Sequence, residues 1–220
     1  MKPDRTIIFD LDGTLIDSSG SVLASLDFAL SESGFTPIAP LEPSLIGPPL
    51  VEIIRRLTRL SEHDVLLKQI VATFKARYDL IDCTRVRPYP GIEAALGSLK
   101  RARCSLMIAT HKRETPTLKI IEALQWEGWF DAVFCIDSHD RISRSKGELL
   151  RKLVDTMHLQ PEEALYVGDR REDQMGAAEL QMPFAYAGWG DQGGVDNSGW
   201  ESAAGYLTQP GDLATLSGTP

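Results

Sequence analysis

What this 220-residue chain lacks narrows its class before any motif is read. Cysteine is scarce: Cys83, Cys104 and Cys135 are an odd number without metal-ligand spacing, and two of them sit in apolar stretches that read as strands. Such thiols read as reduced and structural, which points to a cytoplasmic protein rather than a disulfide-stapled one. Long apolar runs are missing as well. The N-terminus carries Lys2, Asp4 and Arg5 and then only a short hydrophobic stretch before Asp10, so neither a signal peptide nor a membrane span is expected. Positive charge is in deficit: 23 Lys and Arg against 31 Asp and Glu leave a net charge of −8, which repels nucleic acid and anionic membranes at long range. Any anionic substrate must be attracted locally, by a metal, a lysine or backbone N–H groups. Internal repeats and low-complexity segments are also absent. Hydrophobic residues make up 43%, enough for the core of one large domain or of a domain with an insertion.

What is present begins with Thr6-Ile7-Ile8-Phe9-Asp10-Leu11-Asp12-Gly13-Thr14. Three apolar residues running into an acid pair read as a buried parallel strand whose carboxyl end delivers Asp10 to the surface, where open α/β sheets keep their sites. Gly13 permits a tight path and Thr14 can hydrogen-bond the turn, so two carboxylates converge. Crowded carboxylates repel unless a cation or a shared proton relieves them. Taken alone, the stretch also fits an Asx-rich turn.

Further along, Ser18 or Ser19 is expected to cap a helix carrying Val22, Leu23, Leu26 and Leu30, with Gly34 as its stop. Beyond a proline-rich stretch, a second helix is expected from Pro49 to Leu60, and a third capped by Ser61 with Val65, Leu66, Ile70, Phe74 and Tyr78 on one side. From the turn Pro88-Tyr89-Pro90-Gly91 onward, strands alternate with helices. The strands are read at Ser105 to Thr110, Ala132 to Asp137, Ala164 to Asp169 and Phe184 to Trp189. The helices are read from Ile92, from Thr115-Pro116 as cap and first position, from Ser145 and from about Asp173. This is a βαβ series with right-handed crossovers, hence a Rossmann-like parallel sheet in an α/β core. The division expected is residues 1–16 and 88–220 as core and 17–87 as an inserted helical cap, positioned as a lid over the strand end that carries Asp10. The Gly-rich stretch from Gly188 to Gly199 reads as loop.

Three further stretches carry polar residues at the same sheet edge. Thr110 closes the strand Leu106-Met107-Ile108-Ala109 and is followed by His111 and Lys112. Ser145-Lys146-Gly147-Glu148 reads as a capping box that puts Lys146 in the first turn of a helix. A cation there opposes the helix dipole at about 0.3–1 kcal/mol unless an anion sits nearby, so Lys146 reads as the partner of a phosphate or carboxylate. Leu165-Tyr166-Val167-Gly168-Asp169 ends a strand on an acid, with Asp173 four residues on at a helix start. An oxygen-only donor set without Cys or His suits Mg²⁺ and argues against zinc.

In order and in placement these motifs resemble the haloacid dehalogenase superfamily in its phosphatase branch, and the resemblance covers essentially the whole chain. Gly47-Pro48-Pro49-Leu50 and Ala187-Gly188-Trp189-Gly190 look most like the phosphoglycolate phosphatase subgroup. The resemblance implies a Mg²⁺-dependent phosphomonoesterase acting on a small phosphorylated metabolite, with Asp10 as nucleophile and Asp12 as general acid and base. It implies Thr110, His111 and Lys146 around the phosphoryl group, although His111 stands where relatives carry a small or amide residue and by itself reads as an exposed loop residue; Lys112 fits the usual pattern. The metal would fall to Asp10, Asp12 and Asp169, with Asp173 acting through water or by orienting Lys146. Gly47, Pro48 and Arg55 are cap candidates for substrate contact. The expected assembly is a monomer or homodimer, without nucleic-acid or membrane partners. Two alternatives stay open: a phosphomutase of the same fold, and a phospho-receiver module, which would lack both the Asp12 turn and a large lid.

Overall fold

The computed structural model describes residues 5–46, 49–138, 142–190 and 205–217. Strand β1 (Thr6–Phe9) is wholly buried and leads through a tight loop to the two-residue strand β2 (Ile16–Asp17). A helical unit follows, with α1 (Ser19–Glu32), α2 (Leu50–Thr58) and α3 (Val65–Leu80). The chain re-enters the α/β unit at β3 (Arg87–Pro88), which pairs antiparallel with β2 in the register Ile16↔Pro88 and Asp17↔Arg87. Then come α4 (Ile92–Arg101), β4 (Ser105–Thr110), α5 (Glu114–Ala123), β5 (Ala132–Cys135) and α6 (Lys146–Met157). The last elements are β6 (Ala164–Gly168), α7 (Arg171–Glu179), β7 (Phe184–Ala187) and β8 (Gly205–Leu207).

The main sheet has the order β5-β4-β1-β6-β7-β8, with every pairing parallel. Both faces are covered. Ile8, Met107, Ala109, Phe134, Tyr166, Phe184 and Tyr186 pack with Leu149, Leu150, Leu153 and Val154 of α6 and Ala177 of α7. The alternating positions Ile7, Phe9, Leu106, Ile108, Leu165, Val167 and Ala185 are equally inaccessible, which is why these strands read as continuous apolar runs instead of half-polar ones. Cys83, Cys104 and Cys135 form no disulfide and are buried; burial, foremost, pushes the Cys135 thiol up to about 11.

The compact α/β unit runs to Asp17 and resumes at Arg87, and the helical unit spans Ser18–Val86. Within the helical unit, Leu26 and Leu30 of α1, Ile53, Ile54 and Leu57 of α2, and Leu67, Ile70, Phe74 and Tyr78 of α3 are buried. Phe74 and Tyr78 stack at 5.6 Å. Asp82 is fully buried and accepts hydrogen bonds from Ser25 Oγ (2.8 Å) and Arg77 Nε (2.9 Å), with Arg85 at 3.3 Å.

Several helix starts differ from expectation. Ser18 stands at the α1 N-cap without a side-chain capping bond. Asp64, not Ser61, caps α3 by accepting from Leu66 N–H at 2.9 Å; a carboxylate one residue from the first turn is the better acceptor there. Helix α5 begins one residue before Thr115, with Arg113 at its N-cap, and Pro116 falls within its first turn, where a missing N–H costs nothing. Helix α7 starts at Arg171, so Asp173 is its third residue. Pro88 belongs to a strand pair before the turn begins, and β5, β6 and β7 end one or two residues short of the expected limits.

Candidate active site

Strand order reverses beside β1: the chain passes from β1 to β4 and β5 on one side, then returns to β6 on the other. Adjacent strands whose connections leave in opposite directions open a crevice at their carboxyl ends. Asp10 follows β1 and Asp169 follows β6, so the two acids flank that crevice, and Asp10 N–H donates to Val167 O at 2.9 Å across it. Thr110 is the last residue of β4, Lys146 the first of α6, and Asp173 lies in the first turn of α7. Five residues distant in sequence therefore converge because each ends a strand or begins a helix at one sheet edge.

Lys146 is the centre of the arrangement. Its Nζ is 2.9 Å from Asp10 Oδ1 and 2.9 Å from Asp173 Oδ1, and it lies 5.7 Å from the centroid of the Tyr166 ring. All three charged residues are buried, with Lys146 only 5% exposed. Ser145 caps α6 by accepting from Glu148 N–H at 3.1 Å, while Glu148 reaches back to Arg144 N–H at 2.8 Å, one residue earlier than a reciprocal capping box would have it. Tyr166 O–H lies within hydrogen-bond distance of Ala109 O (3.0 Å) and Asp173 Oδ1 (3.1 Å), tying β6 to β4 beneath the lysine. Asp173 also accepts from Arg170 N–H at 3.0 Å, which closes the α7 N-terminus over its carboxylate.

The loop after β1 is compact. Gly13 N–H donates to Ile16 O, and Leu15 and Ile16 N–H both reach Leu11 O. Thr14 does not bond the turn through its hydroxyl; it donates to Asp169 Oδ1 at 3.2 Å, and its carbonyl accepts from Trp189 Nε1 at 2.9 Å. Gly13 has φ +84°, and a Cβ there would collide with the Asp169 carboxylate. A Cβ on Gly190 would strike the Gly13 carbonyl. Asp12 meets a second lysine: Lys112 Nζ is 2.9 Å from both of its carboxylate oxygens.

Negative charge exceeds positive in the buried trio. Burial raises Asp10 to about 6, against the opposing pull of Lys146 and with the charge of Asp173 adding to the rise. Burial, then Asp10 and Asp173, push Asp169 well above the usual carboxylate range. Burial works against the Lys146 ammonium, yet Asp10 and Asp173 outweigh it and hold the lysine above its ordinary value. His111 is pushed down by burial and by the Lys146 charge. Carboxylate oxygens of Asp10, Asp169 and Asp173 lie within 4.8 Å of one another. An all-oxygen set with surplus negative charge fits a hard divalent cation such as Mg²⁺.

A profile of the haloacid dehalogenase-like hydrolases matches residues 7–187. The chain belongs to the haloacid dehalogenase-like hydrolase family. It is 31% identical over 187 residues to the tyrosine-protein kinase PtkA of Mycobacterium tuberculosis, a match covering 84% of this chain but only 62% of that protein. It is 30% identical over 218 residues to a phosphoglycolate phosphatase of Xanthomonas campestris, covering 97% and 96% of the two chains. A haloacid dehalogenase-like hydrolase from Streptococcus pneumoniae superposes with a TM-score of 0.82 at 23% identity over 96% and 97% of the chains, which shows the shared fold.

In this haloacid dehalogenase-like hydrolase, Asp10, Asp169, Asp173 and Lys146 form one buried cluster, and Asp12 adjoins it through the loop. Thr110 is buried and accepts from Lys112 N–H at 3.2 Å. His111 is exposed. Arg55 lies on α2 in the helical unit, 4.0 Å from Glu62. Gly47 and Pro48 lie outside the described residues. The Thr14 hydroxyl's bond to Asp169, the Tyr166 contacts and the close approach of Gly13 to Asp169 and of Gly190 to Gly13 were not read from the sequence, since each depends on contacts between segments remote along the chain. Tyr166 offered a faint signal as a large polar residue inside an otherwise apolar strand.

Proposed function

We propose that this chain hydrolyses phosphate monoesters of a small metabolite, phosphoglycolate among the candidates, with Asp10 as nucleophile and Mg²⁺ as cofactor. The observation that carries the reading is the lysine-bridged buried acid pair: Lys146 within 2.9 Å of Asp10 and Asp173 at the sheet's crevice. The phosphoglycolate phosphatase relative, similar over nearly its whole length, supports the substrate class.

In the proposed reaction a carboxylate oxygen of Asp10 attacks phosphorus while the bond to the ester oxygen breaks, leaving the phosphoryl group on Asp10. Asp12 gives the departing oxygen its proton. The same carboxylate then takes a proton from water as that water attacks phosphorus and restores Asp10. Thr110 accepts from Lys112 N–H, which leaves its own hydroxyl proton to donate to a phosphoryl oxygen. Lys146 neutralises charge on the transferred group and is held in line by Asp173. Asp10 and Asp169, with the Asp12 carbonyl, would hold Mg²⁺, which when bound offsets charge on the phosphoryl oxygens. The helical unit contributes specificity groups, with Arg55 a candidate. The three buried cysteines, which form no disulfide, support a reducing, cytoplasmic setting.

The test is phosphate release from a panel of phosphate esters with Mg²⁺, phosphoglycolate included, by wild-type protein and by Asp10→Asn. Turnover by wild type and none by the folded variant is expected. Failure of the wild type on every ester, or equal rates for the variant, would overturn the reading. Adding sugar and tyrosine acceptors distinguishes release to water from transfer.

A further inference from the structure

We propose that Lys112 is a phosphate-recognising cation parked on Asp12 in the resting protein, so that an arriving phosphoryl group draws Lys112 away and frees the Asp12 carboxylate. The proposal rests on the phosphatase reading of the site. Two lysines serve the two acids of the first loop, from different segments: Lys146 meets Asp10, and Lys112 meets Asp12 with 2.9 Å to each oxygen. The two lysines are both largely covered, at 5% and 9% of their side-chain surface, and the difference lies in their acids: Lys146 is enclosed between two buried carboxylates, whereas Asp12 is 29% exposed, so an anion meets the Lys112 pair from the Asp12 side.

The backbone of Lys112 is held while its side chain is long. Its N–H donates to Thr110 Oγ1 at 3.2 Å, and its carbonyl accepts from Ile136 N–H at 3.3 Å. A four-carbon arm on a fixed pivot moves its charge by rotamer change alone, without displacing Thr110. A phosphate dianion carries more charge than a carboxylate and offers three acceptor oxygens, so it competes for the same ammonium. While Lys112 spans both Asp12 oxygens, that carboxylate is held ionised; once the lysine turns to the phosphoryl group, Asp12 takes up a proton from solvent and can hand it to the ester oxygen. Binding of the phosphoryl group and readiness of Asp12 become one event.

The experiment is a double-mutant cycle read in binding of inorganic phosphate, by calorimetry at saturating Mg²⁺, for wild type, Asp12→Asn, Lys112→Met and the double variant. Asp12→Asn removes the charge that draws Lys112 onto this carboxylate, so the variant should bind phosphate about tenfold tighter than wild type, the scale of one charged hydrogen bond. In the Lys112→Met background the same change should tighten binding by less than about threefold. Lys112→Gln, with a melting curve beside it, serves if the methionine variant is unstable. Equal tightening in both backgrounds, or Lys112 variants that lose turnover with phosphate affinity unchanged, would overturn the proposal and leave Lys112 a structural anchor. Hydrolysis of p-nitrophenyl phosphate by the wild type reads the phosphatase assignment separately. No turnover beside an intact cycle would sink that assignment and keep the lysine's role, whereas turnover with equal tightening would sink the lysine's role alone.

Discussion

Gly13 joins two requirements at one residue: a left-handed backbone at φ +84° and no side chain toward Asp169. Gly13→Ala should cost about 1 kcal/mol or more from the backbone alone, and it should weaken Mg²⁺ affinity by displacing the Asp169 carboxylate. Unaltered metal affinity, measured by titration against a thermal melt, would contradict the described packing. Under the proposed reaction Lys146→Ala should lower turnover about 10²-fold or more even at saturating Mg²⁺, because that reaction has the lysine and the metal neutralise different oxygens; complete rescue by excess Mg²⁺ would refute that division. Asp10, Asp169 and Lys146 were legible in the sequence because each sits where an apolar run stops or a helix starts, and strand ends in such sheets share an edge. The Lys112 to Asp12 pair, 100 residues apart, was not: it depends on side-chain reach, which spacing does not encode.

Elements that pack along their length announced themselves by their apolar pattern, and the strands β4 to β7 with the helices between them lie within two residues of where that pattern put them. Strands β2, β3 and β8, of two or three residues each, are too short to show any period. Ser61 and Asp64 are both cap formers within four residues, and Asp64 takes the role because its carboxylate stands next to the first turn of α3. In the helical unit, the buried Asp82 gathers Ser25, Arg77 and Arg85. Asp82→Ala should destabilise that unit by about 1–3 kcal/mol, since it leaves the buried Ser25 hydroxyl and the part-buried Arg77 without their acceptor while the exposed Arg85 turns to water; a denaturant midpoint equal to wild type would show the network to be idle. In the α/β unit, α6 and α7 meet through Gly176, where a Cβ would press on Gly147 N and the Lys146 side chain. Gly176→Ala should therefore reduce turnover at a site it does not touch chemically, with a smaller change in melting temperature than in rate.

Across the whole molecule the net charge is −8, and Asp10, Asp169 and Asp173 crowd three of its acids at one point. Because Asp10 is raised from 3.8 to about 6, the metal-free fold binds its proton more tightly than the unfolded chain does. That stability is fully present below about pH 4 and lost as pH rises through 6, and Asp169 shifts in the same direction. Mg²⁺ at about 100 times its dissociation constant should then raise the melting temperature by roughly 5–10 °C at pH 7.5. At pH 5, where protons compete for the same oxygens, the rise should be much smaller; equal shifts at the two pH values would exclude a metal at this cluster. The paired strands β2 and β3 bear on the molecule in another way. Asp17 and Arg87 are cross-strand partners, so everything between them leaves and rejoins the α/β unit at adjacent residues. A long excursion between neighbouring points costs closure entropy that grows only with the logarithm of its length. The helical segment is thus a cassette: it can be exchanged for another, or shortened to a hairpin turn, without re-registering a single strand of the main sheet.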